Sequence, residues 1–128
     1  MKSMINLKNS TLIEMDPLSL QNLISNEMDL DLPKSIDSNK EKKEALNMMN
    51  KAISYVCYFK ELETLARVMK RKAKRDKKDQ NEVERLLSCE EIFETYKRIS
   101  ENIYTQISKM MTMKRLMLDE AKLLGETT

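Results

Sequence analysis

ALNMMNKAISYVCYFKELETLARVMKRKAKRDKK, residues 45–78, carries a sevenfold repeat: Ala45, Ala52, Phe59, Ala66 and Ala73 share one position, and Met48, Tyr55, Leu62 and Met69 the position three residues on. Apolar residues alternately three and four apart form one stripe along an α-helix, the pattern of a helix lying against a neighbour. Alanines bury little area each, so the neighbour must approach closely. Met49 and Val56 widen the stripe in its first half, whereas Glu63 and Lys70 hold the equivalent places later. The first half is therefore expected to be the more deeply buried, and the second to emerge into solvent with basic residues around it.

Working back from this stretch, Ser38 with Glu41 three residues on is a capping box, so the helix should begin there. DLDLPKSIDS, residues 29–38, reads as a linker, because Pro33 disfavours helical geometry at Leu32 and the Asp and Ser side chains compete for backbone donors. Asp16-Pro17 is an N-cap followed by proline at the first helical position, and Leu18, Leu20, Leu23, Ile24 and Met28 make a short apolar face. That helix is either core or a detachable recognition peptide, since both need such a face. Residues 1–15 have no clear period and are expected to be flexible or loosely docked.

Working forward, DKKDQN, residues 76–81, interrupts the stripe and should hold the chain reversal. Two restart signals follow, Asp79 or Asn81 ahead of Glu82 and Glu84, and the capping box Ser88 to Glu91; a short turn of helix before a longer one from Ser88 would use both. The last helix repeats Cys89, Tyr96, Ile103, Met110, Met117 and Leu124, flanked by Ile92, Phe93, Ile99, Ile107, Met113 and Ala121, with Gly125 as a left-handed cap. Around Met110 to Leu118 the apolar residues cover well over half of the helix surface, which calls for neighbours on more than one side.

The fold class is thus all-α: an elongated, coiled-coil-like antiparallel hairpin over residues 38–128, preceded by an acidic segment, residues 1–37, with one short helix and a linker. A 37-residue helix is about 55 Å long, whereas a compact globule of this size has a radius of gyration of about 14 Å. A lone hairpin leaves its apolar faces half covered. A homo-oligomer is therefore expected, built on the last helix through Tyr96, Ile103, Ile107, Met110, Met113, Met117 and Leu124. The alternative is a monomer in which residues 17–28 fold back as a third helix. With the reversal near residue 79, Cys57 and Cys89 lie about 18 Å apart along the hairpin, beyond disulfide reach; both are expected to be free thiols facing the core.

With 128 residues, one Gly, two Pro and 34% charged side chains, the chain is one domain without the turns that a sheet protein needs. It contains no membrane-length apolar run and no signal-peptide core, so a cytoplasmic location is expected, that of the host if it is phage-encoded. There is no histidine, Cys-x-x-Cys pair, Gly-rich phosphate loop or nucleophile elbow. Glu90, Glu91 and Glu94 fit a solvated helix face better than an acid/base pair. No catalytic residue, metal site or cofactor is expected.

Net charge is +2 overall, but residues 1–37 carry −3, residues 38–78 carry +8 and residues 79–128 carry −3. The block culminates in RVMKRKAKRDKK, residues 67–78. On a helix Arg67, Lys70, Arg71, Lys74, Arg75 and Lys78 recur every three or four residues and form a ribbon of charge, with Lys72 and Lys77 beside it. Such a ribbon suits a phosphate backbone, where each neutralised phosphate releases counterions. Tyr58 could offer a ring to an unstacked base, with Lys60 close by. A solvated helix face, an acidic protein surface and anionic lipid are the competing readings, lipid being disfavoured by the lack of Trp and of large apolar residues beside the charges.

The order of these features resembles the UvsY-type recombination mediators of tailed phages. IDSNKEKKEALN leads into the long helix, RVMKRKAKRDKK forms the basic run, and LLSCEEIF through TMKRLMLDEAKLLG forms the final region, together about residues 36–125. The resemblance implies a non-enzymatic mediator that binds single-stranded DNA and contacts a RecA-like recombinase and a single-strand-binding protein. Carried over by position, Lys72, Lys74 and Arg75 would touch phosphates, with Lys70, Arg71, Lys77 and Lys78 as neighbours. The chain departs from the pattern in its long lead-in and its Met-rich final region. The rival reading is a small helical protein-binding factor, such as a phage-encoded inhibitor or a secretion-type chaperone, gripping an acidic surface with the basic block and a partner helix with the Met-rich groove.

Overall fold

Local capping fixes where the chain enters and leaves helix. In the computed structural model, which describes residues 9–126, the elements are α1 (Asn9–Glu14), α2 (Pro17–Glu27), α3 (Asn39–Arg75) and α4 (Gln80–Glu126), with no strand among the described residues. The chain is all-α, and its two long helices pack against each other. Both halves of the capping box form at the start of α3: the Glu41 amide donates to Ser38 Oγ at 3.1 Å and the Ser38 amide to Glu41 Oε1 at 3.0 Å. Asp16 does the same service for α2, accepting from the Ser19 amide at 3.1 Å and the Ser19 hydroxyl at 2.7 Å.

The reversal falls at residues 76–79 and is built by a Schellman turn, in which a residue with positive φ lets two amides bond back into the helix. Lys77 has φ 55°, its amide donates to the Lys74 carbonyl at 3.2 Å, and the Lys78 amide to that of Ala73 at 2.9 Å. Glycine usually fills this place because a Cβ is strained there; here a lysine does. Asp79 then opens α4, its carbonyl accepting from the Glu82 and Val83 amides.

From the turn, α3 and α4 run side by side in opposite directions. Phe59 meets Tyr96 with ring centroids 6.0 Å apart, and Lys97 reaches Glu63 at 3.2 Å. The alanine stripe lies in this seam: Ala45, Ala52 and Ala66 are fully buried and Ala73 nearly so, with Tyr55, Phe59 and Leu62 supplying bulk. Contrary to the expected break, α4 is continuous through Ser88. Val83 and Leu86 are buried against the main cluster, about two turns and one turn ahead of Cys89, so tertiary packing carries the helix past a capping box that is never used.

Two other expectations fail for the same reason, that packing partners distant in sequence override the local pattern. The start was read as loosely docked, yet Leu12 and Ile13 of α1 are fully buried; residues 1–8 lie outside the described residues. Arg85 of α4 clasps this segment, donating from Nη1 to the carbonyls of Ile13 at 2.5 Å and Met15 at 2.9 Å while holding Glu82 with Nη2. The second half of α3 does not emerge early into solvent either, because Glu63 is buried and Lys70 nearly so, both engaged by α4. Gly125 is not a left-handed cap: it lies within α4, and no glycine has positive φ.

Helix α2 is core. Leu20 and Ile24 are buried, α2 packs on α4, and Ser25 shares a hydroxyl hydrogen bond with Tyr96. It supplies the third helix of the folded-back alternative, although only over the middle of the hairpin. The linker is also tied down: Leu30 and Ile36 are buried, and Asp29 accepts from Tyr55 Oη at 2.7 Å and Lys51 Nζ at 3.0 Å. Both cysteines are free thiols, but only Cys89 faces the core; Cys57 is exposed, because α4 covers the opposite side of α3.

At 47 residues α4 exceeds the 37 of α3 by ten, about 15 Å of helix. Ile107 packs on Ala45 and Ile36 in a second cluster near the start of α3. Beyond it α4 projects as an overhang with Met113, Leu116, Met117, Leu118, Leu123 and Leu124 at 50–66% exposure.

Candidate nucleic-acid interface

The fold divides the basic run in two. Positions 63, 67 and 70 share the helix face turned towards α4, so Arg67 and Lys70 point at carboxylates. Lys70 Nζ lies 2.9 Å and Arg67 Nε 3.4 Å from the two oxygens of Glu90, and Arg67 also reaches Glu63 at 3.3 Å. Burial pushes the Glu90 carboxyl upward, but the hydrogen bonds and charges of Lys70 and Arg67 outweigh it and hold the group below the ordinary range. These two cations fasten the hairpin. The expected continuous ribbon therefore loses its first two members to internal ion pairs.

The remaining six, Arg71, Lys72, Lys74, Arg75, Lys77 and Lys78, are all exposed around the turn. Arg71, Lys72, Lys74 and Lys77 enter no ion pair among the described residues, and Arg75 has only a loose contact with Asp76 at 3.8 Å. Lys78 feels the carboxylate of Glu82, whose acidity is raised mainly by its hydrogen bond to Arg85. Two acidic residues, Asp76 and Asp79, interrupt the cluster. The outcome is a convex cationic tip at one end of the rod, with the α3 carbonyl terminus beneath it; part of its charge simply complements the helix dipole.

Tyr58 and Lys60 are not gathered into this tip, since Tyr58 sits thirteen residues before Arg71, about 20 Å along α3. Its ring is half-buried, edge-on to Phe59 at 5.4 Å, and burial pushes its hydroxyl up to about 12. Lys60 is exposed beside Cys57 and Glu61. No aromatic residue occurs between residues 60 and 92, so the tip itself offers charge without a stacking surface.

The seven residues assigned to self-assembly also separate. Ile107 is fully buried within one chain, and Tyr96 and Ile103 are half-buried in its own clusters, so these three belong to the intramolecular core; Met110 is half-buried against the smaller cluster and also lines an open groove. Met113, Met117 and Leu124 are exposed. Arg85 and Lys97 were not singled out in the sequence, and Glu63 and Glu90 were expected to face solvent, whereas both are largely buried in ion pairs between the long helices. Charged residues at core-facing heptad positions were the available signal for Glu63, and the Glu82 to Arg85 spacing for Arg85.

Among the described residues no group of three His, Cys, Asp or Glu side chains could hold a metal ion, and no helix is long and apolar enough to cross a membrane. Comparison of the chain with family models, curated proteins and solved structures found no match.

Proposed function

We propose that the chain is a non-enzymatic accessory factor that takes a nucleic-acid backbone on its basic tip and assembles with itself through the far end of α4, as a coiled-coil-like rod. The observation that carries the reading is the exposure of Arg71, Lys72, Lys74, Arg75, Lys77 and Lys78 around one turn, after the two inner cations have been claimed by Glu90. Six cations within reach of successive phosphates give sequence-independent, salt-sensitive affinity. In the form implied by the likeness to UvsY-type mediators, the ligand is single-stranded DNA, and the protein helps a RecA-like recombinase to replace a single-strand-binding protein.

The absence of a ring near the tip favours backbone contact over base stacking, so discrimination between single and double strands should be modest. Fluorescence anisotropy with labelled single-stranded and duplex DNA, at low and at physiological salt, tests the proposal. Binding that weakens steeply with salt is the expected result; no binding at low salt would exclude it. A second reading has its own support. The six exposed apolar residues of the α4 overhang could receive a partner helix, which is what a protein-binding inhibitor or chaperone needs.

A further inference from the structure

The α4 overhang is close to self-complementary about Met117. Along the helix, residues four and seven positions either side of a centre lie on the same face. Four residues out are Met113 and Ala121, and seven out are Met110 and Leu124. Laid against its own copy in the opposite direction, this face makes five layers: Met110 on Leu124, Met113 on Ala121, Met117 on Met117, and the first two repeated in reverse. Met113 on Ala121 sets a large side chain against a small one, and the remaining layers are Met or Leu throughout, an apolar seam without a charged residue.

The charges follow the same centre with opposite sign. Before Met117 come Lys109, Lys114 and Arg115 with no acidic residue from 109 to 116; after it come Asp119, Glu120 and Glu126 with only Lys122 against them. Antiparallel pairing sets each basic half beside an acidic half, whereas parallel pairing sets Lys114 and Arg115 beside their own copies. Residue i facing residue j while j faces i is the signature of a two-fold interface.

The single chain leaves room for such a partner. Met110, Met113 and Met117 floor an open groove of about 380 Å³ whose wall is Ser35, Ile36 and Asp37. That wall is held in place by the ion pair of Asp37 with Lys114 at 2.6 Å. A second copy placed two-fold about Met117 brings its own Leu124 to Met110 and Ile36 and completes the smaller core cluster. Beyond α3 the overhang is otherwise a helical segment of about ten residues with its apolar side chains open to water.

We propose that the chain forms a two-fold dimer through antiparallel pairing of residues 110–124 of α4, centred on Met117. This inference rests on the assembly half of the proposed function and is independent of the nucleic-acid half. It places the two basic tips at opposite ends of one rod, on the order of 120 Å apart at 1.5 Å per residue. Each tip would then hold a separate stretch of nucleic acid, in contrast to a bundle with all its tips on one side.

Cysteine cross-linking decides the geometry. Differently tagged full-length chains carrying Met113→Cys or Ala121→Cys, each with Cys57→Ser, are co-expressed and oxidised, and the unoxidised mixture is sedimented. Dimers with a disulfide between residues 113 and 121, in about fivefold excess over either symmetric product, are expected, because like residues lie about 12 Å apart axially. A dominant 113 to 113 disulfide would overturn antiparallel pairing while leaving assembly through α4 standing. A monomer at tens of micromolar without intermolecular disulfide would overturn both, and a species larger than a dimer would overturn the two-fold interface.

Discussion

The two ends of the hairpin are both solvent-exposed, yet exposure means different things at each. At the turn, six cations stand in water, where charge is well solvated and needs no partner. At the α4 overhang, Met113, Leu116, Met117, Leu118, Leu123 and Leu124 stand in water at half or more of their surface, and a contiguous apolar patch of that kind usually marks an interface. The turn permits a ligand, and the overhang asks for one. Between them, Glu63, Arg67, Lys70, Glu90 and Lys97 form a network of ion pairs that joins the two long helices.

The largest effect is expected at the overhang. Met117→Asp puts two carboxylates at the centre of the two-fold interface and should weaken self-association at least about 100-fold, roughly 3 kcal/mol. Helicity of the hairpin should be kept, as shown by circular dichroism alongside sedimentation. Unchanged sedimentation would mean that this face is not the interface.

Next comes the border between body and tip. Glu90→Ala leaves Lys70 without a carboxylate and Arg67 with Glu63 alone, and should cost about 2 kcal/mol in chemical denaturation. The same change frees Lys70 next to the tip and should tighten nucleic-acid binding, so stability and affinity move in opposite directions. Glu90 also sets a pH dependence. Its folded pKa lies below the ordinary value of 4.5, so its contribution is complete above that value and is lost as the pH falls through the folded pKa. Acid unfolding of Glu90→Gln should begin from a lower plateau and show a shallower slope below pH 4.5.

A smaller effect lies in the turn itself. Lys77→Gly relieves the positive φ and should stabilise the fold by about 0.5–1 kcal/mol, while removing one cation from the tip and slightly weakening binding. A thermal midpoint that falls would show that the Lys77 side chain does more for the fold than its backbone costs. The smallest concerns the thiols: Cys57 should react with iodoacetamide at the rate of an open thiol. Cys89, whose pKa is pushed up by burial and which touches Arg85 and the Met15 carbonyl, should react only on unfolding.

What could be read in the sequence was whatever depends on neighbours along the helix. The Ser38 to Glu41 box, Asp16-Pro17, the alanine stripe and the reversal at Asp76 to Asp79 are all set within a turn or two, and each lies where local chemistry puts it. What could not be read depends on partners far away in the chain. Leu12 and Ile13 look like a stray apolar pair until Arg85, more than seventy residues on, binds the carbonyls around them. Glu63 and Lys70 look like solvated charges until α4 supplies Lys97 and Glu90. For the candidate site, the basic run itself was legible, but not its division, because Arg67 and Arg71 share one helix face and differ only in whether a carboxylate of α4 lies within reach. Tyr58 was misleading for the same reason, since Phe59 beside it draws its ring inward.

The claim at the centre of this account is that the tip cations, and not the inner ones, carry ligand binding. It is tested by the salt dependence of single-stranded DNA binding for Lys72→Ala/Lys74→Ala/Arg75→Ala, side by side with the unaltered protein. The account predicts unchanged helicity and a log–log salt slope shallower by about 2, for three lost phosphate contacts at about 0.7 each. An identical slope and affinity in the triple variant would contradict it.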